Sequence, residues 1–155
     1  MRAQYTVVEI EAATEIAGYN YTYNGIAFAD MRSKLVREKP LHWVGAYKRD
    51  LLAFPEAVVD DIGYALGAVQ LGGTPPSTKP WRGEGAGVLE IVEDFRGDTY
   101  RAVYTVHFEQ AIYVLHCFQK KSPTGRRTAR TDIAVIHARL RLSKEDCEAR
   151  YGKEG

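Results

Sequence analysis

From Val58 to Val69 the apolar positions Val58, Ile62, Ala65, Leu66 and Val69 recur at helical spacing, behind Pro55 and Glu56 and ahead of Gly72-Gly73. Pro55 at N1, an acidic first turn and a glycine stop predict one amphipathic helix over this stretch. Upstream, Leu41–Val44 suits a short strand and Gly45–Phe54 a short helix with Tyr47, Leu51 and Phe54 on one side. Downstream the period falls to two. Val88–Asp94, Tyr100–Val106 and Ala111–Phe118 read as strands, joined by connections of hairpin length, which predicts a three-stranded antiparallel meander. In its middle strand Tyr100, Ala102, Tyr104 and Val106 share a core face, and Arg101, Val103 and Thr105 share a face the pattern leaves available. Ile133, Ile136 and Leu140 mark a last helix from Arg130 to about Lys144, and residues 146–155 are expected to fray as a tail.

Between helix and meander, residues 72–87 hold three prolines and five glycines and read as a loop. Ahead of Leu41 the pattern is weaker. Residues 5–11 are rich in β-branched types, and the run Tyr19–Gly25 ends in an Asn-Gly turn signal. Met31, followed by a basic run, serves equally well as a start, so the chain divides into an N-terminal extension, 1–30, and a domain, 31–145.

The 155 residues, 45% hydrophobic and 26% charged, suffice for one globular core. A net charge of +1 excludes both a polycation and an acidic solvating chain. Its distribution is uneven: residues 1–30 carry four carboxylates against Arg2, whereas Phe118–Lys144 carries eight cations against Asp132 alone. Such a local surplus suits a phosphate-rich partner or a solvated basic helix face. Cys117 and Cys147, 30 positions apart, form neither a disulfide framework nor a zinc ribbon, which fits a reducing cytoplasm. Glycines and prolines interrupt the longest uncharged stretch, Ile62–Thr78, so no membrane helix is expected, and Glu9, Glu11 and Glu15 break any secretory signal.

Nucleotide-binding and hydrolase signatures are absent, and His42, His107, His116 and His137 have no ligand spacing, so no metal or cofactor is expected. What remains is a set of cations that a meander would gather: Lys79 and Arg82 before it, Arg101 on its middle strand, Lys120-Lys121 at its end and Arg126-Arg127 beyond. Such a cluster suits RNA, because a positioned cation can stabilise the charge gained at phosphorus when a 2′-OH attacks. The attack needs a proton acceptor and a donor, for which Glu90 and Lys121 are the candidates. The alternative for Arg101 is an exposed salt bridge to Glu90. Tyr100 and Tyr104 read as core, and Phe118 suits either core or base stacking.

The words Gly87-Val-Leu-Glu-Ile-Val-Glu-Asp94, Thr99-Tyr-Arg-Ala-Val-Tyr-Thr-Val106 and Tyr113-Val-Leu-His-Cys-Phe-Gln-Lys-Lys-Ser122, with Trp43-Val-Gly45 and Lys79-Pro-Trp-Arg-Gly83 before them, resemble the RelE/ParE superfamily of bacterial toxins, in its phage-derived HigB-like branch. The resemblance runs from about Pro40 to Leu142. It implies an α+β, RelE-like fold: an antiparallel sheet packed by an N-terminal helical hairpin and a C-terminal helix. It further implies a type II toxin, a cofactor-free endoribonuclease cutting mRNA, commonly at the ribosome, and held inactive in a hetero-oligomer by a helix-turn-helix antitoxin. Arg101 would take the phosphate-stabilising role, Lys120 or Lys121 that of acid or phosphate ligand, and Arg82 that of loop cation. Phe118, Lys79, Arg126 and Arg127 complete the RNA-binding set. Glu90 and Val92 stand where RelE carries lysines, and no tyrosine precedes Tyr151 in the last helix, so the acid and base are not fixed by resemblance. The superfamily also contains ParE-like DNA gyrase poisons, and a non-enzymatic phage-derived binding protein is the third reading.

Overall fold

The computed structural model describes residues 22–23, 26–27, 38–45, 47–83, 86–120 and 130–153. Among the described residues the elements are, in order, β1 (Thr22–Tyr23), β2 (Ile26–Ala27), β3 (Leu41–Trp43), α1 (Tyr47–Leu52), α2 (Glu56–Gln70), β4 (Thr78–Pro80), β5 (Val88–Phe95), β6 (Asp98–Thr105), β7 (Ile112–Lys120) and α3 (Arg130–Tyr151). The class is α+β, compatible with a RelE-like fold.

β5, β6 and β7 form the antiparallel meander. Arg96 and Gly97, at φ of 51° and 87°, make the β5–β6 turn, the positive pair that a two-residue type I′ hairpin requires. Each edge gains a strand: β3 pairs with β7 in parallel and β4 with β5 antiparallel, giving the order β3-β7-β6-β5-β4 and a mixed sheet. β4 lies within the expected loop. Three residues ending in Pro80 carry no readable period, yet the Val92 amide donates to the Ser77 carbonyl and the Trp81 amide to the Val88 carbonyl, extending the ladder at both ends. β1 and β2 pair antiparallel as a separate two-stranded sheet.

Helices cover both faces of the sheet. On one, Leu51 of α1 and Val58, Ile62, Ala65, Leu66 and Val69 of α2 pack against Ile91, Tyr100, Ala102, Tyr104 and Val114. Each large aliphatic side chain buried there stabilises the fold by about 1.5–3 kcal/mol. Pro55 proves to be the N-cap residue of α2, one position before N1. On the other face α3 lays Ile133, Ile136, Leu140 and Cys147 against Val88, Val103, Tyr113 and Leu115. The face expected to be available is therefore largely covered by the last helix. A register shift between Val103 and Tyr104 breaks the alternation of β7: Leu115 joins the core under α3, and His116 beside it also reaches that helix.

The expected tail from 146 is corrected: α3 runs on to Tyr151. Cys147 is buried, Tyr113 Oη donates to Asp146 Oδ2 at 2.8 Å, and His42 Nε2 is hydrogen-bonded to Tyr151 Oη at 2.8 Å. Polar anchors hold these last two turns, and an apolar stripe cannot report them. Residues 5–11, Lys121, Arg126 and Arg127 lie outside the described residues.

Candidate functional site

The sheet register assembles the candidate residues. Arg101 on β6 stands opposite Val92 on β5 and Phe118 on β7. Lys79 on β4 stands opposite Glu90, and Lys120 opposite Thr99. Opposite residues and those two apart along a strand share a face, so Lys79, Glu90, Arg101, Phe118 and Lys120 lie together on the α3 side. Arg82, exposed, follows Trp81, whose ring is buried under α3 and meets His137 edge-on at 5.7 Å. A side chain at Gly83 would fall into that ring, so a glycine is required next to Arg82.

Arg101 Nη1 donates to Glu90 Oε2 at 2.6 Å, with side-chain exposures of 17% and 9%. The pair is a diagonal cross-strand contact, mostly buried. Arg101 is consequently not a lone cation on an open surface, and the exposed salt bridge expected as its alternative is found in a desolvated form. Removing one member of such a pair strands the other, at a cost of about 3–5 kcal/mol. Arg101 Nε has no hydrogen-bond partner among the described residues. Lys79 is exposed and Lys120 half-buried, so cations flank the pair on both sides.

Beside this pair lies one the sequence reading did not select. His116, opposite Val103, bonds through Nε2 to Asp132 Oδ1 of the first turn of α3 at 2.8 Å. A carboxylate only accepts, so Nε2–H is the donor. Burial lowers the His116 pKa from its ordinary value, against the opposing pull of Asp132. Phe118, partly buried, stacks on the His116 ring at 4.9 Å and packs on the core under α3. The i, i+2 spacing of His116 and Phe118 shows in the sequence; the approach of Asp132 depends on how α3 docks and does not.

Both cysteines are free and buried, and burial pushes the Cys117 thiol up, away from reactivity. Among the described residues no three His, Cys, Asp or Glu side chains converge as metal ligands, and no helix is long and apolar enough to cross a membrane.

A family model described as phage-derived protein Gp49-like (DUF891) matches residues 49–141, from within α1 to the middle of α3. The chain belongs to the Gp49-like family. That family is RelE-like and toxin-like, in agreement with the fold. No curated protein and no solved structure matches the chain. The Gp49-like match spans every strand of the meander and the Arg101–Glu90 pair.

Proposed function

We propose that this Gp49-like protein is the toxin of a type II toxin-antitoxin pair, of the HigB-like kind, that cleaves mRNA in the cytoplasm, at the ribosome, without a cofactor. The observation that carries the reading is the Arg101–Glu90 couple at 2.6 Å on a sheet face flanked by Lys79 and Lys120. A cation and a proton acceptor in contact are the two groups that 2′-OH attack on a phosphodiester needs.

Glu90 takes the 2′-OH proton, the 2′-oxygen attacks phosphorus, and Arg101 stabilises the added charge on the phosphoryl oxygens. The 5′-oxygen leaves with a proton from Lys120 or Lys121, giving a 2′,3′-cyclic phosphate and a 5′-hydroxyl end. Lys79, Arg82, Arg126 and Arg127 hold the backbone, and Phe118 walls the site. The toxin domain runs from residue 31 through the end of α3 at Tyr151, 1–30 is an extension, and the partner is a helix-turn-helix antitoxin forming a hetero-oligomer with it.

Induction in bacteria with genome-wide mapping of transcript 5′ ends tests the reading. New ends that vanish when the neighbouring open reading frame is co-expressed are expected. Growth arrest with unchanged ends and inhibited gyrase would replace the reading with a gyrase poison, and no arrest would leave a binding protein.

A further inference from the structure

Away from Arg101, where the middle of α3 faces the β6–β7 connection, Ala86, His107, Phe108, Leu140, Arg141 and Lys144 line a pocket of about 300 Å³. Phe108 is 5% exposed and, with Leu140, belongs to the core under α3, so the floor is apolar. The rim is cationic or titratable: His107, Arg141 and Lys144 are exposed, and none of the described lining residues is acidic. Arg141 and Lys144, three apart on a helix, stand on one side of it. The His107 ring meets Phe108 edge-on at 5.4 Å, adding a second aromatic surface at the mouth.

The pocket and the Arg101 site belong to the same side of the sheet. Arg101 and Val103 share a face of β6, and Val103, Phe108 and Leu140 share one core. Asp132, bonded to His116 beside the Arg101 site, precedes Lys144 by roughly 18 Å of helix. An extended strand running along α3 would meet Arg101 at one end and the pocket several nucleotides away.

We propose that this pocket is a subsite for one unpaired nucleotide of RNA, with its base against Phe108, Leu140 and His107 and its phosphate on Arg141 and Lys144. The proposal rests on the ribonuclease reading and adds a binding determinant remote from the reacting phosphate. An aromatic surface under a cationic rim matches a base attached to a phosphate. Because every base has a face to stack, the subsite adds affinity without sequence preference.

The test is fluorescence anisotropy with a labelled 2′-O-methyl oligoribonucleotide, which binds but lacks the attacking hydroxyl, across a salt series. The full chain is compared with the Arg141→Ala/Lys144→Ala double variant and with His107→Ala, all checked for folding by thermal melts. The double variant is expected to bind about tenfold more weakly, with a salt slope shallower by about 0.7, for the one phosphate that the two cations hold. His107→Ala is expected to weaken binding without changing the slope. Unchanged affinity and slope in the double variant would overturn the subsite. No oligonucleotide binding by a wild type that still cleaves transcripts overturns the subsite alone, and absence of both overturns the ribonuclease reading with it. A peptide of residues 5–15, with its acidic and β-branched positions, that binds wild type but not the double variant while the oligonucleotide binds both alike would assign the groove to a protein segment and overturn the proposal.

Discussion

Arg101 Nη1 and Glu90 Oε2 meet at 2.6 Å across the β5–β6 ladder, both mostly buried beside α3. The contact ties the proposed chemistry to the stability of the sheet. Arg101→Ala or Glu90→Ala alone leaves a stranded charge and is expected to cost about 3–5 kcal/mol in a denaturant titration. Arg101→Met combined with Glu90→Leu is expected to recover most of that stability and still to cleave no RNA. Separating the two effects this way distinguishes a catalytic couple from a structural ion pair.

The His116–Asp132 bond fastens the start of α3 to β7. Burial places the folded-state pKa of His116 below its ordinary value of 6.5, so the unfolded chain takes up this proton at higher pH than the folded one. The His116 contribution to stability is therefore fully present above about pH 6.5 and is lost as pH falls toward and through the folded-state value. Unfolding titrations of wild type and His116→Gln from about pH 5 to 8 are expected to show a steeper acid-side decline in the wild type.

At the other end of α3, His42, Tyr113, Asp146 and Tyr151 form the anchor. Tyr151→Phe removes one hydrogen bond and is expected to cost about 1 kcal/mol. Ending the chain after Glu145 removes Cys147 from the core as well, and circular dichroism is expected to show a markedly lower melting temperature.

The helix α2, β5, β6 and the apolar half of α3 were legible because each obeys a single period, and β7 because its period is broken only once, beside Leu115. Elements set by hydrogen bonding between distant residues were not. β4 takes its place from the backbone of β5, despite Pro80. The parallel pairing of β3 with β7 depends on topology, and the last turns of α3 depend on polar anchors at His42 and Tyr113. Sequence spacing also put Arg101 on the face away from the aromatic core and Glu90 on the neighbouring strand, whereas Lys79 reaches that face only through β4. It did not show that α3 would cover that face, because a helix stripe does not say which surface it buries. The same blindness hid Asp132 from His116.

Lys79, exposed on the edge strand opposite Glu90, offers charge without burial. Lys79→Ala is expected to change stability by less than about 0.5 kcal/mol while weakening RNA binding evenly across sequences, with a salt slope shallower by about 0.7. Parallel melts and anisotropy titrations check both halves.

Cleavage by the Arg101–Glu90 couple is tested by genome-wide mapping of transcript 5′ ends after induction of the wild type and of the folded Arg101→Met/Glu90→Leu variant, each with and without the neighbouring gene. New 5′-hydroxyl ends are expected with the wild type alone, suppressed by the neighbour. Equal cleavage by the variant, or growth arrest with no new ends, would contradict cleavage by that couple.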